Sequence, residues 1–425
     1  MKGNMMKRSA AVFLVTRLFV SGLMGATATV TENDRIPIVA YWSVPLNQTS
    51  AAAYKLMAEG GVTHGILAHS WKGSLADVDA ALDAAHEAGI KLIPTCRELK
   101  NTPETAVAHL KSHPALAGYF VADEPSASDF PALAKTIGRI RSVDTNHPCY
   151  INLFPNYASS KLLGTATYQK HVDEFLAKVP VEFLSFDNYP ISNYSVRPGW
   201  YENLEIVSKA AKAKGIPFWA FALSSTHYKF TPATLPQLRL QMHANLAYGA
   251  QALQYFPYWQ PNVNHFYCPI NADGTKGPLY ESVKTLNGAI QAVAGVFKSS
   301  SVLRVDHTGK KAQWWDAGKL GTDVPRQKEG PVPNGTTRYK PASPVASFIA
   351  QGQHGAIVSE LVNGKNRYLV VVNKDYAHVM VLRITFDRTK DISVIGKDGS
   401  AAALEKNVFM KLVDPGDIVI FTWSE

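Results

Sequence analysis

Short apolar runs alternate with longer amphipathic runs over the first two thirds of the chain, and eight such pairs can be counted from residue 36 to about residue 298. The predicted helix 75–88, for example, carries apolar residues three or four positions apart, and Gly89 follows it as a C-cap. Strands that alternate with helices predict a parallel sheet. The eight predicted strands are residues 36–43, 62–71, 91–99, 117–124, 148–154, 181–189, 216–223 and 250–259.

Eight strand–helix units in roughly 260 residues match the size of a (β/α)8 TIM barrel. An open doubly wound sheet ordinarily has a glycine-rich phosphate loop after an early strand. No such loop occurs in this sequence. We therefore predict an α/β fold with a (β/α)8 barrel over residues 33–298.

After residue 298 the pattern changes to short alternating strands without a convincing helix. Asn363-Gly364 lies between two of these runs and is a strong hairpin signal, while Asp398-Gly399 marks another turn. Residues 318–344 are rich in Gly, Pro and charge, which predicts a long loop. We predict a C-terminal all-β sandwich domain over residues 299–425. Its expected strands are residues 345–350, 356–362, 368–373, 379–386, 392–395, 408–413 and 417–423.

The N-terminal residues 1–28 have the pattern of a secretory signal peptide. Lys7-Arg8 precedes an apolar stretch over residues 10–24, and Ala26-Thr27-Ala28 forms a small-x-small cleavage site. The alternative is a ragged tail on a cytosolic protein. Export predicts a periplasmic or extracellular protein. No later stretch of the sequence approaches the roughly 20 apolar residues of a membrane span.

The composition excludes disorder and coiled coil, because 46% of the 425 residues are hydrophobic and 18% are charged. The formal net charge is +9, and four of the basic side chains lie in residues 1–28. The rest of the chain therefore carries only a small net positive charge, and that charge is spread along the sequence. We accordingly expect no nucleic-acid and no membrane partner. The three cysteines, Cys96, Cys149 and Cys268, have no metal-ligand spacing. We expect no metal and no cofactor, and the oligomeric state stays open.

In a TIM barrel the chemistry lies at the carboxyl ends of the strands, where the βα loops converge. Here those ends carry carboxylates, amides and aromatic rings. Rings stack on the C–H faces of sugars, and the polar groups bind sugar hydroxyls. No serine-hydrolase elbow and no nucleotide-binding loop accompanies them. We therefore expect acid/base chemistry on a carbohydrate. The predicted substrate-binding residues are Trp42, His69, Trp71, Asp123, Asn152, Tyr189, Trp219, Tyr255 and Trp259.

Glu124 and Asp187 are the predicted catalytic carboxylates. Glu124 ends an almost wholly apolar strand, where an ionised carboxylate must be paired or perturbed. It could instead stabilise the N-terminus of the next helix. Asp187 shares a strand face with Tyr189 and would face the same bowl as Glu124, where the bowl is the depression formed by the carboxyl ends of the strands and the βα loops. Alternatively, Asp187 could only accept backbone N–H groups in the turn before Pro190. Strand alternation predicts that Asp123 points away from Glu124 and acts as a positioning residue.

Residues 118–126, Gly-Tyr-Phe-Val-Ala-Asp-Glu-Pro-Ser, resemble the acid/base strand of the large clan of retaining (β/α)8 glycoside hydrolases. In that clan Asn-Glu ends the fourth strand, and here Asp123 stands in place of the Asn. Residues 185–190 are similar to a strand end of β-galactosidase-like members, in which a β-sandwich commonly follows the barrel. The resemblance implies that Glu124 is a general acid/base. The clan's nucleophile is a glutamate that ends the seventh strand, and residues 218–225 contain no carboxylate.

Three functions therefore stay open. The first is a secreted glycoside hydrolase, in which the proton comes from Glu124 and Asp187 is the second carboxylate. Because strands four and six are not neighbours, a carboxyl separation of roughly 6.5–9.5 Å and inversion are expected. The second is a barrel that binds carbohydrate without hydrolysis, and the third is a polysaccharide lyase. A second carboxylate within about 10 Å of Glu124 would favour hydrolysis.

Overall fold

The computed structural model describes residues 35–68, 70–228, 230–309 and 330–425. The predicted signal peptide and His69 lie outside these residues. Eight parallel strands form one sheet in the order β3-β2-β1-β8-β7-β6-β5-β4, as the alternating pattern predicts. The strands are β1 Ile38–Tyr41, β2 His64–Leu67, β3 Lys91–Pro94, β4 Tyr119–Asp123, β5 Cys149–Leu153, β6 Leu184–Phe186, β7 Phe218–Leu223 and β8 Ala252–Phe256.

The barrel closes where its first and last sheet members, β3 and β4, meet. The Leu92 N–H donates to Ala115 O at 2.7 Å, and the Ala117 N–H donates to Leu92 O at 2.8 Å. These bonds lie before β4, so they close the amino-terminal end of the barrel. Towards the carboxyl ends of the two strands lies a lateral cavity of about 580 Å³, which Phe120 and Asp123 help to line.

Helices cover the outside of the barrel and are set by ordinary capping signals. Ser74 and Asp77 form a capping box at the start of α2, and Gly215 ends α8 in the left-handed conformation. No helix in the described ranges has the length and the apolar run that a membrane crossing requires. The helices are α1 Ala51–Glu59, α2 Leu75–Glu87, α3 Arg97–Asn101, α4 Pro103–Leu110, α5 Phe130–Arg141, α6 Ser160–Leu163, α7 Tyr168–Lys178, α8 Trp200–Lys214, α9 Leu235–Ala247, α10 Tyr280–Ala292 and α11 Ala294–Phe297.

The C-terminal part is a β-sandwich, as expected from the sequence. A sheet of order β10-β9-β12-β13-β18-β15-β16 packs through Leu369 and Phe421 against a sheet of order β11-β14-β17, which contributes Leu382 and Ile384. Its strands are β9 Ser301–His307, β10 Thr337–Arg338, β11 Val345–Gln351, β12 Ala356–Asn363, β13 Asn366–Asn373, β14 Met380–Phe386, β15 Ser393–Ile395, β16 Ala401–Ala403, β17 Val408–Val413 and β18 Ile418–Ser424.

Three of these strands depart from the sequence prediction. Ser301–His307 and Ala401–Ala403 were not predicted, and Thr337–Arg338 forms a short strand inside the predicted loop 318–344. The first of them pairs antiparallel with β12 and carries mostly exposed or half-buried residues, so its sequence lacks the apolar signal of a core strand. Residues 318–329 of that loop lie outside the described ranges.

Helix α9 joins the two parts of the molecule. On its barrel side, Gln241 Oε1 accepts the Leu223 N–H at 2.8 Å, and Asn245 Nδ2 donates to Phe221 O at 3.0 Å. On its outer side, His243 Nδ1 donates to Gly416 O of the sandwich at 2.9 Å. The sandwich therefore covers the helix that fixes the end of β7.

Candidate active site

Asp123 and Glu124 end β4 on the carboxyl-terminal face of the barrel, and both face the bowl. The expectation that alternation turns Asp123 away from Glu124 is wrong. The pairing of β4 with β5 shifts register between Phe120 and Ala122, so Asp123 takes the position opposite the inward Asn152. Glu124 follows with a φ of +46°, and this left-handed residue turns its own side chain to the same side. Such a conformation is uncommon outside glycine, and strained residues concentrate at functional sites.

The Glu124 carboxyl hydrogen-bonds to the carboxyl of Asp187, which follows β6. A hydrogen bond between two carboxyl groups requires that one of them carry a proton. The two groups are therefore closer than the roughly 6.5–9.5 Å that the sequence led us to expect. The strand ends converge across the bowl, although β4 and β6 are not adjacent in the sheet.

Burial and the charges of neighbouring carboxylates raise the pKa of both groups. Burial and then the charge of Asp123 raise the pKa of Glu124 to about 7, and the hydrogen bond to Asp187 opposes the shift. The pKa of Asp187 lies well above its ordinary value because of burial and then the charges of Glu124 and Asp123. At neutral pH the site thus holds a proton that it can give to a substrate.

Asn152, at the end of β5, connects two of the three carboxylates. Its Nδ2 donates to Asp123 Oδ1 at 3.2 Å and to Asp187 Oδ1 at 3.1 Å. Its Oδ1 accepts from Ser185 Oγ at 3.0 Å. One amide therefore fixes the relative positions of an acid from β4 and an acid from β6.

A buried polar chain below Asn152 holds that amide in place. Ser185 Oγ also accepts from Gln254 Nε2 at 2.9 Å, and Gln254 Oε1 accepts from the Tyr150 hydroxyl at 2.8 Å. Tyr150, Ser185 and Gln254 are fully buried in the barrel. Because each side chain has a partner, the chain is rigid and fixes the orientation of the Asn152 amide.

Asp123 differs from the other two acids because its side chain is exposed to the bowl. The Tyr41 hydroxyl donates to its carboxylate. Surrounding protein raises the pKa of Asp123, while the hydrogen bonds from Tyr41 and Asn152 lower it. Asp123 is thus an oriented carboxylate that can still accept a hydrogen bond from a ligand.

Aromatic rings form the wall of the bowl beside these acids. Tyr189 stacks on Phe256 with ring centroids 5.3 Å apart, and Trp42 lies 5.4 Å from the same Phe256 ring. His265 packs 5.5 Å from Trp42, and His227 lies 4.7 Å from His265. Burial lowers the pKa of His227 to about 4, so its imidazole is neutral at neutral pH.

The rim of the bowl carries exposed aromatic side chains from several βα loops. Tyr228 is 90% exposed, and Tyr194 is 75% exposed. Tyr157 stacks under the Arg197 guanidinium at 4.1 Å, and Trp71 is half-exposed. Exposed flat rings around a polar bowl suit a ligand with apolar faces and polar edges.

The end of β7 carries no carboxylate. Ser224 Oγ donates to Pro257 O at 3.0 Å, and Ser225 Oγ is hydrogen-bonded to His227 Nδ1 at 3.2 Å. Both serines are fully buried. Neither hydroxyl replaces the carboxylate that the resembled clan has at this strand end.

Comparisons with known proteins identify the fold. No family model matches the chain, and no curated protein matches it. Among solved structures, the chain is similar to a catalytic mutant of a GH42 beta-galactosidase from G. stearothermophilus, with 8% identity, coverage of 93% of this chain and 99% of that chain, and a TM-score of 0.58. It is also similar to an alpha-amylase from Anoxybacillus, with 10% identity, coverage of 93% and 98%, and a TM-score of 0.51. The fold is a TIM barrel followed by a β-sandwich.

The structure brings together many of the predicted residues. Glu124, Asp187, Asp123 and Asn152 form one hydrogen-bonded group, Tyr189 and Trp42 line the adjacent wall, and Trp71 lies at the rim. His69 lies outside the described residues. Several residues of the wall and rim were not predicted, among them Tyr157, Arg197, His227 and His265. They lie in βα loops beyond the strand ends, where a periodic pattern gives no signal.

Three predicted substrate-binding residues lie elsewhere and are corrected here. Trp219 stacks on Phe183 at 4.1 Å near the amino-terminal end of β7, at the opposite end of the barrel from the bowl. Tyr255 points outward, where its hydroxyl donates to Asn287 of α10 at 2.9 Å. Trp259 is buried in the main core, with 1% of its surface exposed.

Within the described ranges, no group of three or more His, Cys, Asp or Glu side chains could hold a metal ion.

Proposed function

We propose that the protein is a glycoside hydrolase in which Glu124 is the general acid. The observation that carries this proposal is the hydrogen bond between Glu124 and Asp187, together with the raised pKa of Glu124 of about 7. A general acid works best when its pKa is near the working pH. The pair lies at the face of the barrel where TIM-barrel enzymes have their active sites.

In the proposed reaction Glu124 gives its proton to the glycosidic oxygen as the bond to the anomeric carbon breaks. The proton leaves behind a Glu124 carboxylate that accepts a hydrogen bond from Asp187, which stays protonated because burial and the charges of Glu124 and Asp123 raise its pKa. Positive charge develops on the sugar at the same moment, and the enlarged negative charge of the site stabilises it. The repulsion that raises the pKa of Glu124 is thereby relieved in the transition state.

Asp187 is the proton partner of Glu124 in this proposal. It holds the Glu124 carboxyl in one orientation, and Asn152 in turn holds Asp187. Asp187 lies within hydrogen-bond reach of Glu124, well inside the distance of about 10 Å that favours hydrolysis over binding alone. A binding site would gain nothing from two acids forced together.

The walls and rim of the bowl support a carbohydrate as the substrate. Trp42 and the exposed Tyr228 offer ring faces, while neutral His227 and His265 can exchange hydrogen bonds with hydroxyls. The solved structures of similar fold are glycoside hydrolases by name. Because these structures have low sequence identity to this chain, they support only the fold. The proposed chemistry rests on the residues of the bowl.

We also propose that the protein is exported. The pattern in residues 1–28 supports this, and N-terminal sequencing of protein recovered outside the cytoplasm should begin near Thr29. Functional protein that retains Met1 would contradict export.

A panel of aryl glycosides and polysaccharides tests the hydrolase proposal. Wild type should release product from at least one member, and Glu124→Gln should lower that turnover by about 10²–10⁴-fold. Glu87→Gln is the matched control, because Glu87 is an exposed glutamate whose ion pair with Lys55 lies far from the bowl. Equal turnover of wild type and Glu124→Gln would overturn the proposal.

A further inference from the structure

The carboxylates at the floor of the bowl lie together on one side. Glu124 and Asp187 are in contact, whereas the nucleophile of a retaining glycosidase lies about 5–5.5 Å from the acid. The ends of β7 and β8 could supply such a group, but Ser224 and Ser225 follow the first, and Pro257 follows the second. Neither of these strand ends therefore offers a carboxylate nucleophile.

Asp123 has the geometry of a ligand-binding carboxylate. The Tyr41 hydroxyl and the Asn152 amide, the latter at 3.2 Å, orient it, and its side chain is exposed to the bowl. Glu124 is its chain neighbour, so a group bound to Asp123 lies beside the proton donor. The free lone pairs of Asp123 suit one N–H donor of a substrate.

Asp123 is one of the residues that line the lateral cavity between β3 and β4. The cavity has a volume of about 580 Å³, and its lining also includes Tyr41, Trp42, Ala68 and Phe120. Most of the lining is aromatic or apolar, and its other polar members are Thr95, Lys100 and Thr136. The cavity thus suits a small group that has one N–H and an apolar end.

We propose that the substrate is a glycoside of a 2-acylamino sugar, whose acyl group occupies this cavity and whose amide oxygen is the nucleophile. This inference rests on the proposed hydrolase function. Attack by the amide oxygen requires that the acylamino group and the leaving group be trans, so the substrate is a β-glycoside of a gluco- or galacto-configured sugar. Asp123 is the catalytic residue that accepts the amide N–H.

Both steps balance with water as the co-reactant. In the first, the amide oxygen bonds to C1 while the C1–O bond to the leaving group breaks, and Glu124 transfers its proton to the departing oxygen. The resulting oxazolinium carries its positive charge beside Asp123. In the second, water gives a proton to Glu124, its oxygen bonds to C1, and the ring opens to restore the amide. Two displacements retain the configuration at C1.

Paired aryl β-glycosides, identical except for 2-acetamido or 2-hydroxy, test this inference. Wild type should favour the 2-acetamido member of a pair by about 10³-fold or more in kcat/KM, because an internal nucleophile has a high effective concentration. A trifluoroacetyl group in place of the acetyl should lower kcat by at least about tenfold, because it weakens the amide oxygen as a nucleophile. Proton NMR of the first product should show retention.

Asp123→Asn should lower kcat on the 2-acetamido substrate by about 10²–10³-fold and weaken the binding of a thiazoline analogue of the intermediate. Asp173→Asn, which removes an exposed carboxylate from α7, is the matched control and should leave both values unchanged. The melting temperature of Asp123→Asn detects a folding defect of that variant. The trifluoroacetyl comparison is made in wild type, so it does not depend on the stability of the variant.

The outcomes separate this inference from the hydrolase proposal. Hydrolysis of 2-hydroxy glycosides at equal rates, or inversion at C1, overturns the acylamino inference and leaves the hydrolase proposal intact. An equal kcat on the acetyl and trifluoroacetyl substrates would likewise overturn the acylamino inference and leave the hydrolase proposal intact. Absence of hydrolysis on every member, with no binding of the thiazoline, overturns both.

Discussion

Glu124 and Asp187 hydrogen-bond to each other across the floor of the bowl, and Asn152 holds Asp187 from below at 3.1 Å. The two acids reach this position from the residues that directly follow β4 and β6. Loss of the Glu124 proton places a new negative charge beside the Asp123 carboxylate, while Asp187 keeps its proton and donates to Glu124. That cost falls when a positive charge forms on a ligand above them, and this gives the pair its catalytic value.

Substrates with different leaving groups should separate acid catalysis from structural support. Glu124→Gln keeps the shape of the side chain and loses the proton, so turnover on a poor leaving group should fall by about 10²–10⁴-fold. A dinitrophenyl leaving group needs no proton, so its bond-cleavage rate should fall far less. Pre-steady-state measurement of both substrates checks this. Equal losses on the two would identify a general structural defect.

The pH dependence of kcat/KM should have an alkaline limb near pH 7. The acid is active in its protonated form, so activity falls as pH rises through the pKa of Glu124, about 7. The negative charge of Asp123 raises that pKa, so Asp123→Asn should move the limb of its residual activity to lower pH. An alkaline limb at the same pH in wild type and in Asp123→Asn would show that the charge of Asp123 does not raise the pKa of Glu124.

The raised pKa of Glu124 also makes a prediction about folding. A carboxyl whose pKa is higher in the folded state contributes stability below its unfolded pKa of about 4.5 and loses it as pH rises to about 7. Glu124→Gln, which cannot ionise, should therefore raise the free energy of unfolding by about 1–3 kcal/mol at pH 8 and change it little at pH 4. Thermal unfolding at the two pH values measures the difference. Destabilisation at pH 8 would contradict the assigned shift.

Gly416 should be essential for seating the sandwich on α9. A Cβ at this position would lie 2.3 Å from Pro236 O, and its φ is +68°. Gly364 has a φ of +59° but open space around its Cβ position. Gly364→Ala should therefore cost only the left-handed strain of about 1–2 kcal/mol, and Gly416→Ala clearly more. Equal melting temperatures of the two variants would show that the close approach of the new Cβ to Pro236 O is relieved without a cost in the free energy of unfolding.

The barrel strands were predictable because strands buried on both faces give continuous apolar runs. The bounds of β1 to β8 fall inside those runs, which extend past the strands into the loops. Ser301–His307 escaped prediction because its pattern of exposed and half-buried positions resembles a linker. Burial by a neighbouring sheet is a tertiary property, and a short window of sequence does not contain it.

The site was predictable in its strand-end acids and less so in its aromatic residues. The sequence does not give the depth of Trp219 along the barrel axis, and its ring lies at the opposite end of the barrel from the bowl. For Tyr255 the uncertainty was one residue of register, since its neighbour Gln254 is the side chain that points inward. The register shift between Phe120 and Ala122, which places Asp123 on the bowl side, leaves no mark in the pattern.

Helix α9 has consequences for how such a chain can evolve. The helix supports β7 through Gln241 and Asn245 and is roofed by the sandwich at His243. Recombination that replaced the C-terminal domain with an unrelated one would expose this helix to solvent. The end of β7, which the helix supports, would then be less rigidly fixed. The barrel and its sandwich are therefore constrained to be inherited as one piece, and new specificity is free to arise mainly in the rim loops.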